Sequence, residues 1–273
     1  MHSNPNCHTL YSKYVHMERK PVTSKLVISL VVVATYIATK FTPEFYAYLV
    51  FGKDRFNALN YTTLLCNDTD VVLCLLATLY LAGFSFKKML EMLGLSKRLG
   101  TAFLLALLAA LPQLLGLLYL HGFRHGVSFM DIWFNGIDPS YHEEIVFRGF
   151  LIGILARYAK WPAIIPLVLS SGLFAMGHLY QAHNVGESVT VFLMAFGAGT
   201  GFYLFYKYTN WNLWFPLFLH SFMDTSTVIS NWDGNIMMSA QDNIFRGTTL
   251  AIAIFIAVRI SIKTKKKKQL YSE

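Results

Sequence analysis

Three short runs of this chain place ionisable side chains inside otherwise apolar sequence. They are Tyr141-His142-Glu143-Glu144-Ile145-Val146-Phe147-Arg148, Phe174-Ala175-Met176-Gly177-His178 and His220-Ser221-Phe222-Met223-Asp224. On a helix turning about 100° per residue, Glu144 and Arg148 share a face and can pair, whereas Glu143 points about 100° away, toward a neighbouring helix. Glu143 is then the carboxylate left free to act. His220 and Asp224 also share a face, a spacing at which an aspartate orients an imidazole or the two chelate a metal. Gly177 beside His178 predicts a close helix approach at that ring. Each run also has a purely structural reading: a helix-ordering salt bridge, a satisfied interface histidine, a hydrogen-bonded pair. Taken together, carboxylates, two histidines and an arginine in an apolar cavity are the parts for activating water and stabilising a tetrahedral oxyanion during amide hydrolysis.

The elements that must position these residues follow from composition. The chain has 273 residues, 55% hydrophobic and 14% charged, against about 25% charged in a soluble domain. Mean hydropathy is +0.44. A soluble protein of this length needs a charged surface that this composition cannot supply, so the class is an all-α, polytopic membrane protein. A charge at mid-bilayer costs about 2.5 to 3.5 kcal/mol on insertion scales, which makes each of the buried ionisable groups a functional candidate.

Eight apolar stretches are long enough to read as spans: about Leu26 to Phe51, Val71 to Phe86, Thr101 to Leu120 with a kink at Pro112, Tyr141 to Tyr158, Pro162 to Tyr180, Val189 to Tyr208, Leu213 to Ser230 and Ile244 to Ile262. A polar cavity is expected among helices four to seven. Most of the Lys and Arg fall on one set of alternate connections, from Lys13, Arg19, Lys20 and Lys25 to Arg259, Lys263 and Lys265 to Lys268. The opposite set holds Lys53, Arg55, Arg124 and Arg246. By the positive-inside rule both termini are cytoplasmic, in what is expected to be the cell membrane. All three polar runs then fall at compatible depths in the outer half of the bilayer. The residues before Leu26 are polar and lack a cleavable signal, so the first helix is expected to be an uncleaved anchor.

The net charge of +8 and pI of about 9.3 reflect these flanking lysines and arginines, not a nucleic-acid surface. The Lys-rich tail reads as a topology determinant at a membrane exit. Cys7, Cys66 and Cys74 have neither disulfide nor zinc-knuckle spacing. Three regions are expected: residues 1–140, an N-terminal membrane region; 141–230, the catalytic helices; and 231–273, a terminal helix with the basic tail.

The ordered set Glu143-Glu144-x-x-x-Arg148, Phe174-x-x-x-His178 and His220-x-x-x-Asp224, with Phe147, Gly149 and Leu151 adding to the first motif, resembles the CPBP family of CAAX proteases and bacteriocin-processing enzymes. The resemblance covers about Tyr141 to Ile229. It implies an intramembrane endopeptidase acting on a membrane-associated protein or peptide precursor. Glu143 and His178 would activate water, His220 and Asp224 would bind the oxyanion, and Arg148 would support Glu143 and Glu144. A different class that keeps the same motifs is a non-catalytic bacteriocin-immunity or scaffold protein. The family often carries Asn where this chain has Asp224, and an ionised Asp cannot donate to an oxyanion. Burial that keeps it protonated, a role in orienting His220, or a bound metal would each reconcile the difference. Glu143, His178 and His220 have ligand types suited to zinc, but no HExxH is present, so zinc stays an open option. Eukaryotic CAAX proteases act on prenylated proteins at the cytosolic face, whereas the charge pattern puts this site in the outer half. A peptide precursor or membrane-protein segment is therefore expected in preference to a prenylated substrate. The oligomeric state is not legible.

Overall fold

A computed structural model describes residues 20–43, 45–46, 59–234 and 237–270. The end of the first expected span at Phe51, together with Cys7, Lys13, Arg19, Lys53 and Arg55, lies outside the described residues. The described chain is helical, and its one extended contact is an isolated bridge between Phe123 and Ser230.

Helix α1 (Lys25–Ala38) starts where the Ser24 side chain accepts from the Val27 N–H. Helix α2 (Leu59–Leu81) is followed by the short α3 (Phe86–Leu93). Gly94 at φ 82° closes α3 in the left-handed conformation that glycine adopts without strain. Next comes α4 (Leu99–His121). A composite helix, α5, then joins α-helical runs at Phe129–Ile132, Asp138–Glu143 and Gly153–Arg157 through π-helical runs at Trp133–Ile137 and Glu144–Ile152. The bundle is completed by α6 (Ile164–Gly177), α7 (Val185–Tyr208), α8 (Trp214–Ile229) and α9 (Ala240–Leu270).

Four helical stretches are long and apolar enough to cross a membrane: Leu99–His121, Ile164–Gln181, Val185–Tyr208 and Ala240–Lys267. A fifth is possible if Leu65–Leu81 and Phe86–Leu93, bent by 114°, count as one. Eight spans were expected, and the difference has a physical source. Helix α1 has 14 residues and α8 has 16, while α5 changes helical type four times along its length and carries Glu143, Glu144 and Arg148. The residues that could do chemistry are the ones that dilute the apolar signal. The second expected span also ends early, because the chain turns at Gly83 and Phe84, both at positive φ.

Two apolar clusters hold the bundle. One gathers α1, α2, α3, the C-terminal half of α5 and part of α6, with Leu81, Leu93, Phe150, Leu151 and Leu155 at its centre. The other joins α4, α7, α8 and α9, through Ala102, Ala106, Ala109 and Ala110 of α4 and Ala253 and Ala257 of α9. These alanines let α4 pack closely against α8 and α9. Pro112 offers no N–H to the α4 ladder, and the neighbouring Gln113 N–H donates to Thr249 Oγ1 on α9 at 3.0 Å.

Candidate active site

Helix α5 enters through a capping box at its exposed end. Asp131 N–H donates to Ser128 Oγ at 3.2 Å, and Asp131 Oδ2 accepts from the Ser128 N–H and hydroxyl at 2.8 and 2.7 Å. The Ser128 backbone N–H, then its hydroxyl, hold the Asp131 carboxyl below the usual aspartate range. The helix then passes through its two π-helical runs. All nine residues from Glu144 to Ile152 are buried, and π-helical turns of this kind recur at functional sites.

Glu144 begins the second π run with no solvent exposure. Its Oε1 accepts from His220 Nδ1 on α8 at 2.9 Å and lies 3.2 Å from Arg148 Nη1. The Arg148 contact is an ion pair without hydrogen-bond geometry, since neither terminal nitrogen of Arg148 has a hydrogen-bond partner among the described residues. Instead the guanidinium lies over the Phe174 ring at 4.4 Å, with Phe202 at 5.5 Å. Phe202 also lies against the His220 ring at 4.7 Å.

Glu143 sits differently. No hydrogen bond ties its carboxylate to a described residue. Its nearest charged or ring partners are His220 Nε2 at 3.6 Å and His178 Nε2 at 4.0 Å. His178, just past the end of α6, uses Nδ1 to donate to the Phe174 carbonyl at 2.9 Å. That bond fixes the tautomer and turns the Nε2 lone pair toward Glu143. Asp224 Oδ2 lies 3.5 Å from His220 Nε2 and 2.8 Å from Ser140 Oγ.

The three sequence runs therefore meet in space, and all six of Glu143, Glu144, Arg148, His178, His220 and Asp224 belong to one constellation. Glu143, His178, His220 and Asp224 line a cavity of about 1190 Å³, whose walls also include Phe174, Leu193, Met194, Phe202, Leu250 and Ile254. The lining is thus polar at the constellation and largely apolar along α7, while α9 contributes Arg246 beside Leu250 and Ile254. Gly177 departs from expectation: a Cβ there would meet nothing within 4 Å. Close approaches occur at other glycines, among them Gly116 against Phe245, Gly136 against Thr225 and Gly149 against Leu213.

Among the described residues no three His, Cys, Asp or Glu side chains converge as a group able to hold a metal ion. The set Glu143, His178 and His220 is therefore not gathered as a zinc site in this arrangement.

Sequence reasoning missed Ser140 and Phe202, which touch Asp224, His220 and Arg148. Ser140 precedes Glu143 by less than one helical turn and was within reach of a periodicity argument. Phe202 carries no signal, because one phenylalanine among many apolar residues of α7 looks like lipid-facing or core sequence.

The apolar helices are those of an integral membrane protein. Residues 125–226 match the family described as "Rce1-like: Type II CAAX prenyl endopeptidase Rce1-like", which is the CAAX protease family read from the motifs. The matched segment contains all six candidate residues. No curated protein and no solved structure matches the chain.

Proposed function

We propose that this protein is an intramembrane endopeptidase that hydrolyses peptide bonds of a membrane-associated protein or peptide precursor, with Glu143 and His178 activating the attacking water. The observation that carries this reading is the pair of acceptors formed by the Glu143 carboxylate and His178 Nε2, 4.0 Å apart at the cavity wall. One water at about 2.8 Å from each spans that distance while directing a proton to both. Attack on the scissile carbonyl moves one water proton to Glu143 and places negative charge on the carbonyl oxygen. Glu143 then returns the proton to the leaving amine, so water is consumed and two new termini form.

His220 donates Nδ1–H to Glu144 and turns Nε2 into the same space. In its doubly protonated form Nε2 is the donor for the oxyanion. Asp224, 3.5 Å from Nε2 and bonded to Ser140, acts by orienting that ring, which accommodates a carboxylate where the family often has Asn. Arg148 balances the charge of Glu144 so that the His220 anchor persists in the protein interior. In this reading the chain crosses the membrane eight times with cytoplasmic termini. The catalytic type is a glutamate peptidase. A peptide precursor or membrane-protein segment is preferred to a prenylated substrate on the charge pattern.

The test is mass-spectrometric comparison of new protein termini in membranes carrying the wild type or Glu143→Gln at matched abundance. Termini present only with the wild type are expected, and their positions report the substrate and the membrane face. Identical profiles would overturn the reading in favour of a binding or immunity role, which would survive Glu143→Gln.

A further inference from the structure

Helix α2 carries Asn67-Asp68-Thr69-Asp70 in an otherwise apolar stretch, and the chemistry above uses none of them. Asn67 Nδ2 donates to Asp138 Oδ2 on α5 at 2.7 Å. One turn further along both helices, His142 Nε2 lies 3.3 Å from Asp70 Oδ2. Thr42 Oγ1 lies 2.9 Å from the other oxygen of Asp70. Asp70 and Asp138 are 7% and 1% exposed, so these are interior contacts between groups that lipid or a dry core would otherwise penalise.

The two pairs run in the same direction along α2 and α5. A single contact would let α5 pivot, whereas two contacts one turn apart fix both its axial register and its rotation. Rotation matters most for Glu143. That residue follows His142 directly, and no hydrogen bond to a described residue holds its carboxylate. Glu144 is different, being held by His220 and Arg148. The direction in which Glu143 points is therefore set by how α5 is turned.

We infer that Asn67 and Asp70 of α2 are positioning residues for the Glu143 carboxylate, acting through Asp138 and His142 on α5. This rests on Glu143 being the group that activates water. It assigns a catalytic consequence to the N-terminal helices, which carry none of the family motifs, because misplacement of a reacting group by about 1 Å can cost about 100-fold in rate.

The test uses full-length protein in native membranes, with the yield of wild-type-dependent new termini read at matched abundance and matched thermal unfolding in detergent. His142→Leu and Asp70→Leu are each expected to lower the yield by about tenfold or more. His142→Gln keeps a side-chain donor within reach of Asp70 and is expected to keep at least half of the yield. The double variant Asp70→Leu with His142→Leu is expected to be no worse than the poorer single, because both remove the same contact. If a leucine variant fails to accumulate, Asn67→Asp decides: it sets a second carboxylate against Asp138 without changing volume, and a drop of about fivefold or more is expected. Wild-type yield from Asn67→Asp, equal losses from His142→Gln and His142→Leu, or multiplied losses in the double variant would each overturn the inference. Glu143→Gln run alongside separates the failures. Undiminished termini from that variant remove the peptidase reading itself, whereas its silence beside a fully active Asn67→Asp removes only the positioning role.

Discussion

The two apolar clusters solve different packing problems. Around α5 the core is made of bulky side chains, among them Leu81, Leu93, Phe150, Leu151 and Leu155, and the helix is enclosed along the whole run from Glu144 to Ile152. Around α4 it is made of alanines set against Phe202, Phe205, Phe215 and Leu219. The first arrangement surrounds a helix bearing buried charges with protein, so that its carboxylates meet partners and not lipid. The second brings helix axes close, which fixes α8 and with it His220 and Asp224. Glu144 and His220 join across the boundary at 2.9 Å. The site is thus a seam between an enclosing core and a close-packed one, and each side should fail in its own way.

The largest expected effect is at the seam. Arg148→Met leaves Glu144 buried without its counter-charge, a loss of about 3 to 5 kcal/mol, read as a lowered unfolding midpoint in detergent and poor accumulation. A near-normal midpoint would mean that Glu144 at the seam does not depend on Arg148 for its counter-charge. Next, the enclosing core should be sensitive to lost volume: Leu151→Ala is expected to cost about 2 to 5 kcal/mol. The alanine core should be sensitive to added volume, with Ala106→Leu costing about 1 to 3 kcal/mol. Thermal unfolding of the two variants side by side checks the contrast, and an Ala106→Leu protein as stable as wild type would erase it.

The smallest effect lies outside both clusters, at the α5 capping box. Because Ser128 holds the Asp131 carboxyl below its ordinary value of 3.8, its ionised form contributes stability above that value. The contribution is lost as pH falls through the lower value of the folded protein. The small stability gap between wild type and Asp131→Asn should therefore be present at neutral pH and close in acid. A gap that widened on acidification would reverse the assignment.

Much of the site was legible because motif spacing on helices is local geometry. Glu144 with Arg148 and His220 with Asp224 needed only the helical repeat to be placed on shared faces. The span count was less legible: α1, α5 and α8 are the segments whose shortness or polarity separates eight expected stretches from the four or five that qualify by length and composition. The π-helical runs left no mark in the sequence, since an apolar stretch with the same residues reads as an ordinary α-helix.

Composition and periodicity by themselves determined an all-helical protein rich in apolar spans, and the order of three polar motifs determined which six residues were candidates. Both follow from chemistry within a few turns of one chain: apolar helices suit lipid, and side chains four apart share a face. Only the tertiary structure decided that His220 is the partner across helices that holds Glu144, that Phe202 covers His220, and that Asp70 reaches His142. These depend on which helices become neighbours and how each is rotated, and that is set by the summed packing of distant segments.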